Sequence, residues 1–271
     1  MLLRYYIEIA RLNRPIGTVL LFWPCVWGWA LAQEKILLYG SYQYLLYFLL
    51  GSIALRSCGC IINDIIDRSI DRKILRTRNR PLAANLISIE QAYIALVFFL
   101  GVGIFVFFQL PAISKFWAVI GSILMLIYPY CKRYFHYPQV VLGLAFNIGI
   151  LVAYTCLEPF LTPKILFLFC SGVCWTVAYD TIYAFQDLND DIKHHIFSTA
   201  VRWRDHPKKF VACTYFIGFI FLNMSGGSPF ALTSYGIASS CILLFWKPHC
   251  IQSCERCFKA HGWLSFIFIL R

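Results

Sequence analysis

Apolar runs of about twenty residues recur along this chain, separated by shorter polar stretches. They predict helices over 15–33, 42–62, 89–109, 112–130, 138–157, 164–185, 209–223, 229–246 and 260–270, with the seventh and ninth short. About twenty apolar residues cross the hydrocarbon core of a bilayer, and a helix satisfies its own backbone there. A membrane barrel would instead show alternating segments of about ten residues. The expected fold class is therefore all-α: a polytopic membrane bundle of about nine transmembrane helices, with residues 1–271 as one integral-membrane domain. No short apolar run with a small-residue cleavage site opens the chain, so no cleaved signal peptide is expected.

Composition agrees with this pattern. The chain is 60% hydrophobic and 14% charged, with mean hydropathy +0.67. A soluble domain of this length exposes far more charge. The net charge is +11, and the basic residues fall mostly in alternate loops. With the N-terminus cytoplasmic, 19 of 24 basic residues lie on the cytoplasmic side, as the positive-inside rule requires. The positive charge is thus a topology signal, and nucleic acid is not an expected partner. Most of the 12 cysteines lie in apolar runs, where cysteine acts as a small hydrophobe. Cys250, Cys254 and Cys257, beside His249, have a metal-like spacing, but a short loop of free thiols is the expectation.

Acid is scarce, and where it occurs it clusters. Seven of 13 acidic residues fall in two stretches, Asn63 to Asp71 and Asp180 to Asp191, each adjoining an apolar run. Carboxylates at a membrane edge are costly and read as functional by default. Arg56, Cys60, Asp64, Asp67 and Asp71 are spaced 4, 4, 3 and 4, which is one face of a helix. Asp64, Asp67 and Asp71 would form a ladder about 10 Å long. Asp187 and Asp191 are four apart, with Asp180 two turns earlier on nearly the same stripe. Asp67 and Asp187 hold like places in two similar blocks, each a span followed by an acidic motif and a basic loop.

Two such stripes on one membrane face suit a shared cation. Mg²⁺ takes oxygen ligands and bridges one or two carboxylates to phosphates. Lys73, Arg76, Arg78, Arg80, Lys132 and Arg133 stand close enough in sequence to hold phosphate oxygens. Aspartate, metal and basic side chains together describe a diphosphate site. At a membrane surface the diphosphate belongs to a lipid whose tail lies among the spans. Arg56, eight positions inside a span, needs a partner, and Asp64 or the diphosphate is expected. A cation-coupled transporter would also place aspartates on facing helices, but it has no need of the dense basic run from Arg76 to Arg80.

The motifs themselves resemble a known family. Asn63-Asp64-x2-Asp67-x3-Asp71, followed by Arg76-Thr77-x-Asn79-Arg80-Pro81, looks like the first signature of the UbiA-type intramembrane prenyltransferases. Asp187-x3-Asp191, preceded by Tyr179-Asp180-Thr181-x-Tyr183, looks like the second, and Tyr128-x3-Lys132 resembles a further motif. The likeness runs from Arg11-Leu12-x-Arg14-Pro15-Ile16-Gly17-Thr18 to Cys257-Phe258-Lys259-Ala260. Within the family, residues 128–143 are most similar to the branch acting on 4-hydroxybenzoate in ubiquinone synthesis. Naphthoate, homogentisate and haem acceptors are the alternatives.

The resemblance implies Mg²⁺-dependent transfer of a polyprenyl group from polyprenyl diphosphate to the ring carbon ortho to the hydroxyl. It implies metal and catalytic roles for Asp64, Asp67, Asp71, Asp187 and Asp191. Substrate contacts are implied for Asn63, Arg56, Lys73, Arg76, Arg80, Tyr128, Lys132, Arg133, Asp180 and Tyr183, with Arg133 on the benzoate carboxylate and Asp180 or Asp191 taking the ring proton. The setting would be the bacterial plasma membrane or the mitochondrial inner membrane, among membrane lipid, with the site facing the cytoplasm in a bacterium. One departure stands out: the family usually has a glycine and a basic residue just before Ser198-Thr199-Ala200, where this chain has His195 and Phe197. The final span is also cut short.

Overall fold

The computed structural model describes residues 2–33, 41–74 and 77–269. Arg76 and the ends of the chain lie outside the described residues. Among the described residues the chain is helical, with no strand. The elements are α1 (Leu2–Ile9), α2 (Ile16–Gln33), α3 (Gln43–Ile66), α4 (Arg68–Asp71), α5 (Ile89–Gln109), α6 (Ala112–Tyr134), α7 (Pro138–Thr155) and α8 (Pro163–Ala184). A 3₁₀ turn over Phe185–Asp187 leads into α9 (Leu188–Lys193), followed by α10 (Thr199–Arg202), α11 (Pro207–Met224), α12 (Pro229–Phe245) and α13 (Ile251–Leu264). A second 3₁₀ turn covers Ser265–Ile269.

Local chemistry sets the helix ends. Ser88 and Gln91 form a reciprocal capping box that starts α5. Proline opens α7, α8, α11 and α12, where its missing N–H costs nothing.

Six helical segments among the described residues are long and apolar enough to cross a membrane: α2, α3, α5, α6, α7, and α8 continued through α9. The chain is an integral membrane protein. The expected count of nine is not reproduced. The seventh and eighth expected spans form α11 and α12. The former opens on Pro207-Lys208-Lys209, and the latter is 17 residues long. The ninth is not one helix: α13 ends at Leu264, and a 3₁₀ turn follows. Polar Gln252, Glu255, Arg256 and Lys259 occupy much of α13. Cys254 and Cys257 lie on this helix, not in a loop. Cys254 is buried and accepts a hydrogen bond from Trp246 Nε1 at 3.3 Å.

α7 is the central post, with 72% of its apolar window buried, whereas α5 and α6 bury only 17% and face lipid. The core gathers around Trp27, Trp175, Tyr235 and Phe268, all nearly inaccessible. Two tryptophans tie the C-terminal segment to α2. Trp23 Nε1 donates to Gly262 O and Trp27 Nε1 to Ser265 O, both at 2.8 Å, and Phe268 stacks on Trp27.

Candidate active site

At one end of the bundle lies a cavity of about 840 Å³. Its walls come from α1 and the segment after it, from α2, α3, α4, α6, α7, α8, α9 and α13, and from the loops after α4 and α9. Every described site residue anticipated from the sequence lines it, except Lys73 and Arg78.

The first carboxylate stripe survives a break in its helix. α3 stops at Ile66, and Asp67 sits at the joint with φ −93° and ψ 8° before α4 begins. The joint is hydrogen-bonded through: Asp67 N donates to Asn63 O, and Asp71 N donates to Asp67 O, each at 2.8 Å. Arg56, Cys60, Asp64, Asp67 and Asp71 therefore still face one cavity. The second stripe is built the same way. α8 carries Asp180, and Asp187 stands at the joint before α9 with φ −106° and ψ 8°. Asp67 and Asp187 thus share both sequence context and backbone conformation, as the repeated blocks suggest.

Asp64 is the most heavily engaged carboxylate. Arg11 Nη2 reaches both its oxygens, at 2.8 and 2.9 Å. Arg80 Nη1 bridges Asp64 at 3.0 Å and Asp71 at 2.7 Å. Buried carboxylates need such partners, and Asp64 and Asp71 are both buried. Asp64, one of the two partners expected for Arg56, is paired instead with Arg11 and Arg80. Arg11 was missed as a site residue. Its signal lay in the Arg11-Leu12-x-Arg14-Pro15 motif, and its φ of 57° turns it back from the end of α1 toward Asp64.

Asp67 is less enclosed. Arg133 Nη2 lies 3.3 Å from its Oδ1. Burial pushes the Asp67 carboxyl above its ordinary range, against the opposing pull of Lys132. The Lys132 ammonium sits 4.9 Å from the centre of the Tyr128 ring. On the facing wall Ser198 Oγ donates to Asp191 Oδ2 at 3.4 Å, and Gln139 Oε1 accepts from Thr199 N at 3.0 Å. Phe197 N donates to Lys132 O, and the Phe197 ring packs at a tilt of 42° against His136, with centroids 4.3 Å apart. The loop with the two unusual residues is thereby latched to the end of α6.

The basic loop after α4 divides in two. Arg80 enters the cavity, whereas Lys73 and Arg78 are exposed and lie off its wall. Lys73 thus stands outside the cavity: α4 ends at Asp71, and Arg72 and Lys73 after it are exposed. Arg68 and Arg72 are structural, donating to Leu82 O, Ala83 O and the side chain of Asn85.

Arg56 is unusual. Its Nε is buried without a hydrogen-bond partner, and so is the Tyr179 hydroxyl on the same cavity wall. Buried polar atoms are nearly always satisfied, so both mark places for a polar guest. A Cβ on Gly17 would collide with the Arg56 guanidinium, so glycine there makes its room.

Among the described residues no three carboxylate, imidazole or thiol side chains converge into a ready-made metal site. The five anticipated aspartates instead line one cavity together and themselves offer only oxygen donors. That donor set fits a divalent ion such as Mg²⁺, which keeps waters and completes its shell with phosphate oxygens.

Residues 21–269 match the family model described as "UbiA prenyltransferase family". The chain is 35% identical over 275 residues to the 4-hydroxybenzoate octaprenyltransferase of Polynucleobacter necessarius subsp. necessarius, covering 97% of this chain and 94% of that one. It is 38% identical over 274 residues to the mitochondrial 4-hydroxybenzoate polyprenyltransferase of Arabidopsis thaliana, covering 97% and 67%. Among solved structures, an apo UbiA homolog from Aeropyrum pernix K1 superposes with TM-score 0.76 at 17% identity, covering 93% and 96%. A UbiA homolog from Archaeoglobus fulgidus bound to GPP and Mg²⁺ gives TM-score 0.75 at 17% identity, covering 98% and 96%.

Proposed function

The chain belongs to the UbiA prenyltransferase family, and on that premise we propose that it transfers a polyprenyl group from a polyprenyl diphosphate to 4-hydroxybenzoate in ubiquinone biosynthesis. The new bond forms at the ring carbon ortho to the hydroxyl. The observation that supports this best is a single cavity holding two carboxylate stripes, six arginine and lysine side chains and three tyrosines. The acceptor is the one named for relatives that cover nearly the whole chain.

Arg11, Arg80, Lys132 and Arg133 surround the carboxylates and hold the diphosphate oxygens. Asp67, Asp187 and Asp191, with Asp64 and Asp71, would hold Mg²⁺, which supplies further neutralisation of the departing charge. The allylic carbon–oxygen bond breaks, and its electron pair leaves with the diphosphate. The faces of Tyr128, Tyr179 and Tyr183 stabilise the allylic cation. The ring carbon of 4-hydroxybenzoate attacks, and Asp180 or Asp191 takes the displaced proton.

Arg133, the acceptor residue anticipated from the sequence, is already paired with Asp67 and is half exposed. Arg56 is the better holder of the benzoate carboxylate: its guanidinium is planar, buried and unpartnered at Nε. Asn63 borders the first stripe as a further substrate contact. The protein works in a bacterial plasma membrane or a mitochondrial inner membrane, with the cavity opening to the cytoplasm in a bacterium.

The test supplies membranes bearing the chain with 4-hydroxybenzoate, a polyprenyl diphosphate and Mg²⁺, with naphthoate or homogentisate as competing acceptors. Mass spectrometry should find prenylated 4-hydroxybenzoate as the dominant product. Preferential prenylation of a competitor would overturn the acceptor assignment, and no product with any acceptor would overturn the transfer itself.

A further inference from the structure

A helix outside the six spans reaches the polar cavity. α13 brings Phe258 to its wall, where the ring packs 4.4 Å from Tyr183 and 5.7 Å from Tyr179. About one turn further on, His261 is wholly inaccessible. Its ring lies 5.6 Å from Tyr179 and 4.9 Å from Trp175, directly behind the cavity wall.

Both ring nitrogens of His261 are engaged. Nδ1 lies 2.6 Å from Cys257 O, and Nε2 lies 2.6 Å from the Tyr215 hydroxyl. A carbonyl only accepts, so Nδ1 carries the proton. Burial among aromatic rings favours the uncharged imidazole. Its Nε2 then accepts from the Tyr215 O–H. The Tyr235 hydroxyl donates in turn to Tyr215 O at 3.2 Å, and Ser265 Oγ donates to His261 O at 2.6 Å. Bonds from α11 and from α13 itself thus fix one tautomer and one ring orientation.

We propose that His261 is a positioning residue for the transfer: it sets the Tyr179 and Phe258 rings in the cavity wall, and those rings keep water from the allylic cation. The inference rests on the polar cavity being the site of that cation. The Tyr179 hydroxyl is buried without a hydrogen-bond partner, so ring packing sets its place. Phe258 is held through its backbone, because the Nδ1 bond ends on the carbonyl of the Cys257–Phe258 peptide. Once the diphosphate has left with the electron pair of the carbon–oxygen bond, the cation has two fates. The acceptor's ring carbon bonds the allylic carbon, and the ring gives up a proton. Alternatively a water oxygen bonds the same carbon, loses a proton and yields the polyprenol. The polyprenol share of product therefore reports how well the wall excludes water. It is a ratio per turnover, unaffected by how much protein is folded.

The test uses the full chain in membranes with octaprenyl diphosphate, 4-hydroxybenzoate and Mg²⁺, and mass spectrometry of both products. His261→Ala should raise the polyprenol share on the order of tenfold. Tyr215→Phe, which removes one oxygen away from the cavity, should raise it roughly threefold, the worth of one hydrogen bond. In the His261→Ala background, Tyr215→Phe should add nothing. Ser114→Ala removes a buried hydrogen bond to Thr155 near the start of α6, the end opposite Lys132, and should leave the share unchanged. A 3-fluorotyrosine at position 179 gives a readout without turnover: Tyr215→Phe should move its fluorine-19 resonance, and Ser114→Ala should not. An unchanged share in both His261→Ala and Tyr215→Phe, or an equal rise in Ser114→Ala, would overturn the positioning role and leave the transfer reading intact. Should His261→Ala fail to fold, Tyr215→Phe carries the test, and no change in its product ratio or in the resonance would overturn the role. A wild type that yields neither product would overturn both readings together.

Discussion

The polar cavity and an apolar one between α3 and α6 share Gly59, Met125 and Phe146 as a boundary but follow different physics. The polar one is made of what a membrane protein ordinarily excludes. Six side chains, Arg11, Arg80, Arg133, Asp64, Asp67 and Asp71, already pair with one another there by charge. The apolar one is made of small side chains that leave space, among them Gly51, Ala54, Gly59 and Gly103. In the first, a single charge governs chemistry for any substrate. The second holds no charge, and its shape follows from the room those small side chains leave. Changes in the polar cavity should therefore act on all donors alike.

The largest expected effect belongs to the two joint aspartates. Asp67→Ala and Asp187→Ala should each lower kcat by about 10²- to 10³-fold with every donor, while membrane insertion stays normal. A loss that depends on donor length would break the contrast. Next comes Arg80. It carries the charge of two buried carboxylates, so Arg80→Ala should cost about 3 kcal/mol of stability, read as a lower thermal midpoint in detergent. Arg56→Met should raise KM for 4-hydroxybenzoate by roughly 10- to 100-fold, the loss of a charged hydrogen bond, with donor KM unchanged. A donor-side effect would move Arg56 to the diphosphate. The smallest effect sharpens the boundary of the site: Lys73→Ala should alter turnover within about twofold, because the side chain points away from the cavity.

The polar cavity was legible in the sequence for the reason that makes it costly. Acid is rare in this chain, so Asp64, Asp67, Asp71, Asp187 and Asp191 stand out, and their spacing marks one face even though the helix breaks at Asp67. What spacing alone does not convey is where a turn sends a side chain. Lys73 follows the motif as closely as Arg80 does, yet α4 ends before it. Arg11 reads as a topology residue until the left-handed backbone brings it to Asp64. One pairing shows the same effect: Arg56 shares a helix face with Asp64, one of the two partners expected for it, but residues from two other segments reach Asp64 first.

The bundle itself followed from apolar run lengths through α8. It became less legible toward the C-terminus, where α13 owes its place to tryptophan–carbonyl bonds with α2 and not to hydropathy. The apolar cavity was not legible at all, since glycine and alanine in an apolar run look the same whether they face lipid, a neighbour or a void.

The polar side of this comparison is tested most directly by one profile. kcat/KM is measured across donors from dimethylallyl to octaprenyl diphosphate, for the wild type and Asp187→Asn. The account predicts a profile for Asp187→Asn that is lowered by the same factor at every length. A loss that grows or shrinks with donor length would contradict it.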